Sequence, residues 1–205
     1  MLADRYIIEA HRIANLQLDK DADLLHPVFG EGNEIAPFIM FIGEAPGKEE
    51  AASGRPFVGK AGKQLDAMLQ LAGIDRSSVF VTNTVKYRPI KLKGESVSNR
   101  TPTSDEILNG LELLKYEIDA VHPLVIATLG NVPLSAIRIL ADRVYGEQTI
   151  GAVHGKPTSY HIGSDQRKVF PLYHPAAAIY NRELRPVLEE DLKRLGDYVR
   201  SFGLN

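Results

Sequence analysis

Three side chains able to do chemistry stand at the ends of short apolar runs: the carboxylate of Glu44, the amide of Asn83 and the imidazole of His174. Glu44 opens a loop with glycines at 43, 47, 54, 59 and 62. Most joins between a strand and a helix need only a few residues, so a loop of this length reads as a binding loop. Phosphate is the first ligand to test, because Gly54-Arg55-Pro56-Phe57-Val58-Gly59-Lys60 fits G-x-x-x-x-G-K. The fit fails at two points. Ala61 lacks the hydroxyl that would hold magnesium, and the motif starts twelve residues after Ile42 instead of directly behind its strand. His-Pro occurs three times, at 26, 122 and 174, so the dipeptide alone carries little information. Bland readings also exist: His174 as a hydrogen-bonded structural group, Asn83 as a turn residue, Phe57 as a buried loop anchor.

The elements around these residues decide between the readings. The apolar run 38–42 is too short for a helix and reads as a strand; 77–83, 124–129 and 169–173 read the same way. Helical spacing falls over residues 1 to about 17, 62–72, 103–121, a segment opening at Asn131-Val132-Pro133, and 186–202. Thr103 with Glu106 forms a capping box at the start of the third of these. Residues 149–161 read as a pair of short strands or a hairpin, and 84–100 as a basic loop. Four apolar strands alternating with helices specify an α/β fold: a single domain over 1–205 with a central, mainly parallel four-stranded sheet flanked by helices on both faces. In such folds ligands sit at the carboxyl ends of the strands. Glu44, Asn83 and His174 converge at that edge; His122 precedes its strand at the opposite one.

Composition is that of an ordinary globular protein, 44% hydrophobic and 24% charged. The absence of cysteine excludes disulfides, thiol nucleophiles and thiolate-bound metals. No run of eighteen apolar residues appears and the N-terminus does not read as a secretory signal, so a cytoplasmic protein without a membrane partner is expected. With a net charge of −2, a polyanion would have to be held by a local basic patch.

The segments GEAPGKEEAASGRPFVGKAG, TNTVKYRP and YHPAAA, in this order and at roughly these separations, resemble the uracil-DNA glycosylase superfamily, specifically its family four. The resemblance covers most of the chain, from Val28 to the last helix. It implies a monofunctional glycosylase that flips a nucleotide out of DNA, cleaves the N-glycosidic bond of deoxyuridine and starts base excision repair. Glu44 and His174 match the family's catalytic positions. Asn83 matches the asparagine that reads uracil, accepting from N3–H and donating to O4, a contact worth about 1–3 kcal/mol of discrimination. Phe57 matches the aromatic that stacks on the base, and Gly43 and Ala45 lie where the loop backbone approaches it. Ala45 also falls where several other branches carry a water-activating aspartate, which family four lacks too. Glu50 is placed to crowd a 5-methyl group. Lys86, Arg88, Lys91, Lys93 and Arg182 are candidates for phosphate contacts, and Ala176 to Ala178 occupy the loop that enters the minor groove, with Ile179 or Tyr180 the larger wedges.

The chain departs from the family in one respect. Family-four members typically hold a four-iron, four-sulfur cluster through four cysteines, and the matching positions here are Asn15, Leu18, Tyr87 and Gly110. None is a thiolate, so no cluster and no metal is expected, and packing through Leu18 and Tyr87 takes over its structural part. The expected partner is uracil-containing DNA, met by a monomer. Two other readings stay open: a catalytically weak or inactive DNA-binding member of the same fold, and a nucleotide hydrolase using residues 54–60.

Overall fold

The computed structural model describes residues 1–16, 22–23, 26–142 and 148–203. In chain order it contains α1 (Leu2–Ala14), β1 (Ala22–Asp23), β2 (Glu31–Gly32), β3 (Ile39–Gly43), α2 (Lys48–Ser53) and α3 (Lys60–Leu71). Next come β4 (Phe80–Asn83), β5 (Arg88–Lys93), β6 (Ser96–Asn99), α4 (Ser104–Val121), β7 (Val125–Leu129) and α5 (Asn131–Leu140). The chain closes with α6 (Ile150–Val153), β8 (Thr158–Ile162), β9 (Asp165–Leu172), α7 (Ala177–Tyr180) and α8 (Leu184–Arg200).

The main sheet has six strands in the order β2-β4-β3-β7-β9-β8. Its centre, β4-β3-β7-β9, is parallel and consists of the four strands expected from the apolar runs. The sheet is wider than expected because β2 and β8 add antiparallel edges. β2 has only two residues, and β8 alternates between covered and open positions, so neither carries a continuous apolar signal. Residues 149–161 accordingly split into the short α6 and strand β8, whose hairpin partner is β9. Residues 84–100 fold into the β5–β6 hairpin, to which β1 adds a third strand.

Alternation along the central strands feeds two cores, as expected for a sheet covered on both faces. Ile39 and Phe41 of β3 pack with Leu65 and Leu69 of α3 and Leu192 and Leu195 of α8. Met40 and Ile42 pack on the other face with Leu114 and Ile118 of α4 and Ile137 of α5. A small third cluster, Ile13, Val85 and Tyr87, joins α1 to the chain leaving β4. From β3 the chain steps to β4 on one side and later to β7 on the other. The crevice of a doubly wound sheet opens at such a reversal, at the carboxyl ends of the strands.

Candidate active site

Gly43 ends β3 and Asn83 ends β4, and the two are register partners. Beyond them the strands stay together: Thr84 donates from both its N–H and its hydroxyl to the Gly43 carbonyl, and the Val85 N–H donates to the Glu44 carbonyl. His174 follows β9 and lies against Gly130, the residue after β7. These ends meet at a cavity of about 410 Å³ whose wall includes Ala45, Glu50, Phe57, Asn83, Asn99 and His174. Ala176, Ile179 and Tyr180 stand at the same cavity.

Asn83 is buried, and its side-chain oxygen comes so close to Gly43 that a β-carbon there would lie 2.3 Å from it and 2.6 Å from the Phe57 ring. A β-carbon there would have to push the amide or the ring aside. Phe57 is buried with a backbone φ of 56°, in the left-handed region that a bulky residue rarely adopts. Such a conformation costs on the order of 1–3 kcal/mol and persists only where the surroundings impose it. The ring lies against Gly43.

His174 accepts a hydrogen bond at Nδ1 from the Ala176 N–H at 3.2 Å. With Nδ1 an acceptor, the neutral ring carries its proton on Nε2. The side chain keeps an open edge toward the cavity, but burial lowers its pKa to about 4 against the opposing pull of the Glu50 charge. At neutral pH it is therefore an uncharged donor. Glu44 is half-buried just beyond β3; burial raises its pKa, and a hydrogen bond to Thr101 opposes the shift. Unlike Asn83 and His174, with which it was expected to converge, Glu44 is not among the residues that line the cavity.

Glu50 holds the loop together. One carboxylate oxygen accepts from Gly47 N–H at 3.2 Å and the other from Gly59 N–H at 2.8 Å, so it joins the starts of α2 and α3. Within the 54–60 segment the Gly59 amide thus already serves an internal carboxylate instead of a phosphate, which, with Ala61, weighs against the nucleotide-hydrolase reading.

The expected phosphate contacts divide. Lys91, Lys93 and Arg182 are exposed. Lys86 is not: its ammonium is completely buried and paired with Glu117 at 2.7 Å, so it cannot reach a phosphate. Arg88 is mostly buried, and its Nε donates to the Asn99 side chain at 2.7 Å. Asn99 carries no sequence signal for its place at the cavity, because the β5–β6 hairpin that brings it there has the pattern of a basic loop. In the third motif, Ala178 is buried in the core, whereas Ile179 and Tyr180 are 42% and 89% exposed, leaving these two as the only large side chains of α7 that can meet a partner.

The three described positions matched to cluster ligands have other contacts. Asn15 caps α1 and donates to the His11 carbonyl, Tyr87 is buried in the third core cluster, and Gly110 lies against the Thr84 carbonyl. Leu18, and with it the packing expected of it, lies outside the described residues. Among the described residues no group of three or more His, Cys, Asp or Glu could hold an ion. An iron–sulfur cluster has no thiolate ligand here.

The family profile described as the uracil DNA glycosylase superfamily matches residues 29–195. The type-4 uracil-DNA glycosylase of Saccharolobus solfataricus is 42% identical over 173 residues, covering 84% of this chain and 76% of that protein. That of Sulfurisphaera tokodaii is 43% identical over 167 residues, covering 81% and 71%. That of Thermotoga maritima is 37% identical over 179 residues, covering 86% and 84%. Since the matched segment contains every residue of the cavity described above, the chain belongs to the uracil DNA glycosylase superfamily.

Proposed function

We propose that this chain is a monofunctional uracil-DNA glycosylase that hydrolyses the N-glycosidic bond of deoxyuridine in DNA. The observation that carries the reading is the convergence of Asn83, Phe57 and a neutral His174 on one cavity beside the glycine loop. The similarity to type-4 uracil-DNA glycosylases supports it independently.

A flipped uracil fits this set chemically. Its N3–H and O4 face the carbonyl and amino groups of the Asn83 amide, and its ring stacks on Phe57. Bond cleavage leaves negative charge on the base, and the Nε2–H of His174 is the donor available to O2 as that charge grows. A neutral imidazole can donate without having to lose a proton first, and one donor of this kind is worth about a hundred- to a thousandfold in rate. Glu44 supplies a carboxylate behind the loop for the positive charge on the sugar or for orienting water. Glu50 crowds the 5-position of the base while its carboxylate pins the loop.

Lys91, Lys93 and Arg182 contact phosphates, Ala176 approaches the groove, and Tyr180 with Ile179 fills the vacated stack. The reading takes the protein as a monomer acting as one domain over residues 1–205. A cytoplasmic location completes the reading. No helix among the described residues is long and apolar enough to cross a membrane.

The test is release of uracil from a uracil-containing oligonucleotide, scored by alkaline cleavage at the abasic site. Strand cleavage is expected with the parent. Asn83→Asp should remove uracil more slowly, because a carboxylate cannot donate to O4, and should open some release of cytosine. Intact strands with folded parent protein at high concentration, together with salt-dependent DNA binding, would leave a DNA-binding protein without catalysis.

A further inference from the structure

Directly beneath Asn83 lies a buried polar network that the chemistry above does not use. Lys86 Nζ donates to Thr82 Oγ1 at 2.7 Å, to Glu117 Oε2 at 2.7 Å and to the main-chain carbonyl of Asn83 at 2.5 Å. All three donor positions of the ammonium are used. Glu117, in the middle of α4, is fully buried; its Oε2 also accepts from the Thr82 hydroxyl at 2.9 Å, and its Oε1 accepts from Tyr6 Oη at 2.9 Å. Burial and the Glu117 charge push the Tyr6 phenol up, so it stays a donor.

The network costs a good deal to bury. Desolvating a lysine and a glutamate together is expensive, and a well-packed apolar pair of similar volume is often as stable or more so. The carbonyl it holds belongs to the residue whose side chain forms the cavity wall. Asn83 is the last residue of β4, and beyond it the chain stays tied to the β3 side by the Thr84 and Val85 N–H groups, which donate to the Gly43 and Glu44 carbonyls. The N–H end of the 83–84 peptide is tied to the Gly43 carbonyl through Thr84; without the ammonium, its carbonyl end would lose this buried donor, and relief of that cost would tilt the peptide and the Asn83 side chain with it.

We propose that Lys86 is a positioning residue for base recognition: its ammonium, oriented by Glu117 and Thr82, locks the main-chain carbonyl of Asn83 and so fixes the amide that faces the base. The inference rests on the base-reading role given to Asn83 above. It moves Lys86 from the phosphate-binding surface to the support of the reading residue.

Lys86→Met combined with Glu117→Gln removes both charges and leaves neither buried alone. In single-turnover uracil release this pair should lower the rate at saturation by about tenfold or more, since a misplacement near 1 Å can cost up to about a hundredfold. The concentration of DNA giving half-maximal rate should move by less than about twofold, because no phosphate contact is lost. Repeated in an Asn83→Ala background, the same pair should change the rate by less than about twofold, as coupled residues are not additive. Equal losses in both backgrounds, or no loss in the parent, would overturn the positioning role and leave a merely structural pair that moves only the melting temperature. Parent-like rates in Asn83→Ala alone would overturn base reading by Asn83, and the inference with it. Should the paired variant not fold, Thr82→Val decides the matter, because it removes one partner of Nζ while keeping both charges. It should slow the parent by about threefold and leave Asn83→Ala unchanged, and equal slowing of both would again overturn the role.

Discussion

The end of β4 serves two neighbouring regions that are built on opposite terms. On one side Asn83 faces the cavity with Gly43 and Phe57, where a β-carbon would collide with side-chain tips. On the other, Val85 and Tyr87 turn into the cluster with Ile13 that docks α1. This junction is also tied by Arg12 to Glu9 and the Asn109 carbonyl, and by Arg5 to Glu112. Tyr6 stacks on Phe29 there with ring centroids 4.5 Å apart. The cavity needs particular atoms at particular places. The junction needs only to hold a helix and a hairpin, and apolar packing with ion pairs can do this in place of metal–thiolate bonds. On the function proposed above, the chain keeps at the cavity the residues that the reading needs and has no cysteine at the junction. Ala45 touches both regions, lining the cavity and packing against the Ile13–Val85–Tyr87 cluster.

If this contrast is right, added bulk should hurt activity in one region and stability in the other. Gly43→Ala has the largest expected effect. Its β-carbon meets the Asn83 oxygen and the Phe57 ring, both ends of side chains that can move aside. Uracil release should fall by about a hundredfold, while the melting temperature stays close to the parent's. A large loss of stability with proportionate loss of activity would show that the cavity is held no more specifically than the junction.

Gly110→Ala is the counterpart on the other side. There a β-carbon would lie 2.2 Å from the Thr84 carbonyl, a backbone atom that cannot step away, so α4 must shift. Overpacking of this kind costs about 1–3 kcal/mol, and each kcal/mol lowers the melting temperature of a chain this size by about 2–4 °C. Activity per folded molecule at 25 °C should change by less than about threefold, well short of the hundredfold of a misplaced catalytic group.

The strand ends, the glycine loop and the long helices were legible because each rests on local pattern: a short apolar run, a turn residue, a capping box. Asn83 and His174 could be placed at one edge from topology alone. Long-range pairing hid the rest. Lys86 sits in a basic run and reads as a surface cation, and nothing nearby announces that Glu117, on another element, faces it in the core. Glu50 looks like a pocket-wall residue until Gly59 folds back onto its carboxylate. Asn99 required the β5–β6 hairpin, whose lysines and proline mask its alternation.

A pH profile separates the regions by charge. The folded-state pKa of His174 lies near 4, below the ordinary histidine value of about 6.5. Between these values the unfolded chain binds more protons, so the stability this group contributes is complete above about pH 6.5 and is lost as pH falls toward 4. Catalysis by neutral His174 should therefore persist at pH 5.5, where a histidine of ordinary pKa would be about nine-tenths protonated. A tenfold fall in kcat/KM between pH 7.5 and 5.5, abolished in His174→Gln, would show that the cavity does not hold the imidazole neutral.

The smallest effect tests the junction most directly. Tyr87 is 3% exposed and its hydroxyl has no hydrogen-bond partner among the described residues, although Glu106, Arg12 and Arg100 are near enough to perturb it. An unsatisfied buried hydroxyl costs about 1–3 kcal/mol, whereas its ring fills the space beside Ile13 and Val85. Tyr87→Phe keeps the ring and deletes the uncompensated group. It should raise the melting temperature by about 2–4 °C, the shift expected for 1 kcal/mol, and leave uracil release unchanged. A fall in melting temperature would mean that the hydroxyl is bonded in solution, through water or a shifted Glu106 carboxylate, and that the junction depends on a polar contact at Tyr87 as specifically as the cavity depends on its own.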